Sequence, residues 1–136
     1  MTIQYSTAVR NAKLDAVETI IGSAPIMELR SGAAPANPAT AASGTLLAQA
    51  ALPSDWLTAA AAGAKGKNGS WSLTGLAPGG TIGHFRIYES GSPSVCHMQG
   101  SVTATGGGGD MTVDNTSIAA GQAVTVNSFT LTAGNA

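Results

Sequence analysis

Apolar residues recur at three- and four-residue steps in only one stretch of this chain. Val9, Ala12, Ala16 and Ile20 form a stripe, and Leu14, Val17 and Ile21 widen it. Arg10, Lys13, Asp15 and Glu18 lie largely outside it. This period predicts an amphipathic helix over residues 6–21. The Ser6 hydroxyl can accept from a free amide of the first turn, Gly22 suits the position just past the end, and Pro25 prevents continuation. Such a helix must bury its apolar face. The ordinary partner is the chain's own β-rich remainder; the other is a neighbouring subunit.

Beyond Pro25 the period falls to two. Residues 26–30 read as a short strand, and 31–44 as an uncharged loop carrying Pro35 and Pro38, long enough to suggest a function of its own. Leu46, Ala48, Ala50 and Leu52 alternate until Pro53-Ser54-Asp55 breaks the pattern, and residues 56–64 fit neither period cleanly. Trp71 and Leu73 alternate with Ser70, Ser72 and Thr74. Residues 82–89 and 95–102 predict two strands around the turn Ser90-Gly91-Ser92-Pro93. With Glu89 opposite Ser94, Ile87 faces Cys96 and Phe85 faces Met98. Those four then share a core face, and His84, Arg86 and Tyr88 share the polar face with Gln99, His97 and Val95.

Gly106 to Gly109 form a flexible loop, and Met111 and Val113 mark a further strand. In the last strand Val124 and Val126 alternate on one phase, Phe129 and Leu131 on the other. A β-bulge or change of face is expected at Asn127-Ser128. That strand must pair with its own fold or with a neighbour, because unpaired strand edges are costly when buried. About seven short strands with Gly-rich turns predict a mainly β fold: an antiparallel β-sandwich, jelly-roll-like, with one N-terminal α-helix. At 136 residues a single domain over 1–136 is expected, its β-rich part running from 26 to 136.

Charge sharpens this picture. Only 10% of residues are charged, against a usual level of about 25%. A chain so poor in charge either uses Ser, Thr and Asn as its surface or works with much of that surface covered. The net charge of -1 argues against nucleic acid as a partner. The lone Cys96 excludes an internal disulfide and suits a reducing cytosol. No apolar run reaches membrane-spanning length, and Met1-Thr2-Ile3-Gln4-Tyr5 has neither a basic nor an apolar signal region.

Candidate chemistry is sparse. His84, Cys96 and His97 are the only soft metal ligands close in sequence, but Cys96 is expected on the opposite face from His97, and Arg86 beside it. No metal or cofactor is expected. Asp110, Asp114 and Asn115 lack the EF-hand spacing. Residues 63–70 lack the G-x-x-x-x-G-K-[ST] spacing of a phosphate loop, and no G-x-S-x-G elbow occurs. Asp55, Glu89, Asp110 and Asp114 are too scattered to suggest a two-carboxylate glycosidase pair. These absences predict a protein that is not an enzyme. His84, Arg86, Tyr88 and His97 are the candidate contact surface, since Arg and Tyr are enriched at interface anchors.

Several segments resemble small structural proteins of tailed-bacteriophage virions. They are Ala8-Val9-Arg10-Asn11-Ala12-Lys13-Leu14-Asp15-Ala16-Val17, Gly44-Thr45-Leu46-Leu47, Phe85-Arg86-Ile87-Tyr88, Asn115-Thr116-Ser117-Ile118-Ala119-Ala120-Gly121 and Phe129-Thr130-Leu131-Thr132-Ala133-Gly134-Asn135-Ala136. The resemblance implies a capsid cement or decoration protein. Its partners would be the major capsid protein and further copies of itself, as dimer or trimer. It would sit on the capsid exterior, after assembly in the host bacterial cytoplasm. The alternative is a small tail or fibre component, such as a receptor- or glycan-binding module. That reading needs exposed aromatic rings, and Tyr5, Trp56, Trp71 and Tyr88 are the candidates.

Overall fold

The computed structural model describes residues 2–91 and 95–134. The fold is mainly β with one N-terminal helix. Helix α1 spans Thr7–Ile21, and the Ser6 hydroxyl accepts from the Val9 amide. Gly22 ends it at φ 91°, a conformation that favours glycine, with its amide bonded to the Glu18 carbonyl. Nine strands follow: β1 Ile26–Ser31, β2 Leu46–Ala51, β3 Ala64–Gly66, β4 Ser72–Thr74, β5 Gly80–Tyr88, β6 Cys96–Ala104, β7 Met111–Val113, β8 Ser117–Ile118 and β9 Ala123–Thr132.

The main hydrogen-bonded path runs β2-β1-β5-β6-β7-β9-β3, with β4 also on β9 and β8 on β5. All pairs are antiparallel except β6 with β7, so the sheet is mixed, where an antiparallel one was expected. The path then curls back on itself. β4 runs on into Gly75, which bridges Ala48 of β2, and the Leu76 amide donates to the Leu47 carbonyl at 2.7 Å. Gly75 has no room for a side chain there: a Cβ would stand 2.2 Å from the Ala119 carbonyl oxygen. The result is a barrel-like wall around one core. Trp56, Trp71, Phe85 and Phe129 form a chain of ring contacts through it, with centroids 5.3–5.9 Å apart.

The last strand finds its partners inside the chain. β9 pairs with β4 at Ala123, Val124 and Thr125, with β7 from Val126 to Phe129, and with β3 at Thr130, Leu131 and Thr132. The pairing with β7 slips between Thr112 and Val113: Thr112 faces Ser128 and Val113 faces Val126. Asn127 is the extra residue, so the bulge lies where the phase of the sequence changes, and Val124, Val126 and Phe129 all reach the core.

Two expectations need correction. In the β5–β6 hairpin Phe85 pairs with Gly100, Ile87 with Met98 and Tyr88 with Cys96. The body of the hairpin is thus two residues away from the expected register, with a slip between Ile87 and Tyr88. Phe85, Ile87 and Met98 still share the core side, but Cys96 moves to the polar side with Tyr88. The bare Gly100 explains the pairing, since a Cβ there would lie 2.8 Å from the Phe85 ring. The expected Glu89–Ser94 pair and the Ser92-Pro93 half of the turn lie outside the described residues. The helix is also rotated relative to its strongest stripe. Leu14 and Ile21 are buried and Val17 half-buried, whereas Val9 is 43% and Ile20 65% exposed, and Ala12 and Ala16 face solvent with them. Polar contacts set this rotation: the Arg10 Nε donates to the Ala133 carbonyl, Asn11 accepts from the Gly63 amide, and Asp15 and Glu18 meet Lys65.

Candidate functional site

The polar face of the hairpin is covered by the chain's own loop, residues 32–44, which crosses it as a strap. His84 is 0%, Arg86 2% and Tyr88 7% exposed. Their alternation with Phe85 and Ile87 places them all on the outer face of β5, beneath the strap. Each grips its backbone or a neighbour. The His84 Nδ1 lies 2.9 Å from the Gly32 carbonyl. Arg86 donates from its Nη2 to the carbonyls of Pro38 and Thr40, at 2.9 and 3.0 Å, from Nη1 to Gln99 at 2.8 Å, and from Nε to the Tyr88 hydroxyl at 3.1 Å. Gln99 in turn donates to the Pro35 carbonyl at 2.6 Å. Strap carbonyls that no sheet or helix would satisfy are thereby bonded.

The chemistry of this face follows from burial. A cavity of about 220 Å³ is lined by Arg86, Tyr88 and Cys96 and by strap residues Pro38 to Ala42. Burial pushes the Tyr88 hydroxyl up from its ordinary value, against its hydrogen bond from Arg86. Burial also pushes the Cys96 thiol up, against the pull of the Arg86 charge. A thiol so held stays protonated and is a poor nucleophile. The buried Nε2 of His84 has no hydrogen-bond partner among the described residues. Of the four residues read as a contact surface, then, three lie under the strap. The fourth, His97, is half-buried, 3.3 Å from Glu89, beside Val17, Ile20 and Ile21 of α1. The structure does not bring the four together as a free surface. A partner approaching this side would meet the strap.

A second polar cluster joins the helix to the barrel. Lys65, with its side chain 4% exposed, lies 2.8 Å from Asp15 and 2.7 Å from Glu18. Burial pulls its pKa down, but the hydrogen bonds and charges of the two carboxylates outweigh this and leave it raised. The ammonium is a fixed charge that anchors the helix, not a nucleophile. Elsewhere Asp110 accepts from the backbone amide and hydroxyl of Ser101, and these bonds hold its carboxyl below the ordinary value.

No group of three or more His, Cys, Asp and Glu close enough to hold a metal occurs among the described residues. The aromatic candidates for glycan stacking are divided: Trp56, Trp71 and Tyr88 are buried, and Tyr5 is 41% exposed and stacked under Lys13. Among the described residues no helix is long and apolar enough to cross a membrane. What is presented to solvent is apolar: Val9, Ala12, Ala16 and Ile20 along α1, with Ile3 in the arm before it. The sequence pattern joins this stripe to Leu14, Val17 and Ile21 as one face, of which the structure turns only the latter three inward. No known family model, curated protein or solved structure matches this chain.

Proposed function

We propose that this chain is a non-catalytic structural protein of a tailed-phage virion, which docks on the assembled capsid shell and stabilises it. The observation that carries a docking role is the outward stripe of α1. A helix normally turns its apolar face inward, yet here polar anchors hold Val9, Ala12, Ala16 and Ile20 toward solvent. The low charge content supports a surface that works covered. The capsid is favoured over other partners by the virion-like segments, including the end of β9. The burial of Trp56, Trp71 and Tyr88 weighs against a glycan-binding tail module, because base or sugar stacking needs exposed rings.

A protein that binds the assembled shell and not its loose subunits stabilises the shell by mass action. The test uses particles lacking this protein. They should form, lose their genome at lower temperature than complete particles, and recover when purified protein is added back. Unchanged heat resistance, with missing tails or failed adsorption to the host, would assign the protein to the tail instead.

A further inference from the structure

Beneath the strap lies a positive charge that no carboxylate of this face balances. The outer face of the sheet carries Glu28 and Arg30 from β1, opposite Arg86 and His84 of β5. Residues 32–44, which cover it, contain no charged side chain. Gln99 and Ser101 face Arg86 and His84 from β6 and bring none. Asp110, bonded to Ser101, is exposed and lines a different cleft, with Phe85 and Phe129. One carboxylate therefore stands against two guanidiniums, and both of its oxygens are engaged. Glu28 Oε2 accepts from Arg30 at 2.7 Å, and its Oε1 accepts from Gln49 at 3.3 Å. His84 can only add positive charge. Arg86, 2% exposed, has only neutral partners among the described residues: two carbonyls, one side-chain amide and one hydroxyl. The Tyr88 ring, 5.7 Å from its guanidinium carbon, offers a π face but no formal charge. A buried charge without a counter-charge is costly.

The cavity beside Arg86 has room for the missing charge. Its volume of about 220 Å³ far exceeds the roughly 10–15 Å³ that a single water needs. Its strap wall is exposed at residues 39–42, so a solute can exchange there. Two donors line it. Arg86 has five N–H groups, and its four bonds leave one on Nη1. The Tyr88 hydroxyl accepts from Arg86 Nε and keeps its own proton to donate. The Cys96 thiol is engaged with the Met98 carbonyl at 3.3 Å. Two donors on different atoms suit the two oxygens of a carboxylate, and one surplus charge suits a monoanion.

We propose that this cavity binds a small carboxylate monoanion, of the size of acetate, as the counter-ion of Arg86. The ion accepts from Arg86 Nη1 and from the Tyr88 hydroxyl. It neutralises the guanidinium that holds the Pro38 and Thr40 carbonyls, and so tightens the strap over the sheet. The site is independent of the shell as partner and of self-association.

The experiment is fluorine NMR of trifluoroacetate with the purified chain at constant ionic strength. The signal should broaden saturably, acetate should displace the probe, and neutral acetamide should not. In thermal melts, acetate at ten times its dissociation constant should raise the midpoint by about 4 °C. Cys96→Asp sets a carboxylate of the chain itself beside Arg86 and should abolish binding, whereas Cys96→Ser should keep it. Tyr88→Phe removes one donor and should weaken binding by about tenfold. Circular dichroism checks that each variant is folded; should Cys96→Asp fail to fold, Tyr88→Phe decides. No saturable binding, equal displacement by acetamide, displacement by inorganic phosphate but not by acetate, parental affinity in a folded Cys96→Asp, or parental affinity in Tyr88→Phe would each overturn the proposal.

Discussion

Phe85 is 2% exposed, stands edge-on to Phe129 with ring centroids 5.6 Å apart, and occupies the space that Gly100 leaves open. Phe85→Ala should therefore cost about 3–5 kcal/mol in urea melts, and a loss below about 1 kcal/mol would contradict its place in the core. Two charged residues should shape the pH profile in opposite directions. The carboxyl of Asp110 is lowered by its bonds from Ser101, so its contribution is present above the ordinary value of 3.8 and lost as pH falls through the lowered one. Asp110→Asn should lower stability at neutral pH by about 0.5 kcal/mol, small because the group is exposed, and the gap should close in acid. Lys65 is raised, so its contribution is present below 10.5 and lost as pH rises through the raised value. Lys65→Met should destabilise at neutral pH, leaving Asp15 and Glu18 to repel each other, and the difference from the parent should shrink in strong alkali. A gap that widens with alkali would contradict the ion-pair reading.

Among the elements, the strap gives the sharpest expectation. Its carbonyls at Pro38 and Thr40 depend on one guanidinium. Arg86→Met should cost about 2–3 kcal/mol through the bonds left unmade, and should open residues 32–44 to limited proteolysis that the parent resists. Equal cleavage in both would mean that the strap is held by other contacts. None of this was legible beforehand, because nothing in a Pro- and Ala-rich loop announces where it will lie. The span of α1 was legible, since Ser6, Gly22 and Pro25 act locally. So was the bulge at Asn127, since a change of phase can only be absorbed by an extra residue. The facing of α1 was not: Val9, Ala12, Ala16 and Ile20 are no less apolar in pattern than Leu14, Val17 and Ile21. The choice was made by Arg10, Asn11, Asp15 and Glu18 through partners that lie from about 50 to more than 120 residues away in sequence. The hairpin register failed for a related reason, because the irregularity beside His97 leaves no mark in the alternation.

For the molecule as a whole, the outward stripe and the fold should be separable. Ala16→Asp and Ile20→Asp should each leave the melting midpoint within about 0.5 kcal/mol of the parent, as surface changes do, while abolishing co-sedimentation with capsid shells. Retained binding in both would move the docking surface elsewhere. The wiring of β9 carries a further consequence, for synthesis. This strand joins β3, β4 and β7, whose paired residues precede their partners by 13 in the nearest pair, Val113 with Val126, and by 68 in the farthest, Ala64 with Thr132. None of these pairings can form while residues 123–132 are still inside the ribosome. The β1–β2–β5–β6 meander can close earlier, but Trp71 and Phe85 would lack the Phe129 ring that both of them touch. Until β9 emerges, the nascent chain holds an incomplete aromatic core in contact with solvent or a chaperone, and cooperative stability waits for that strand.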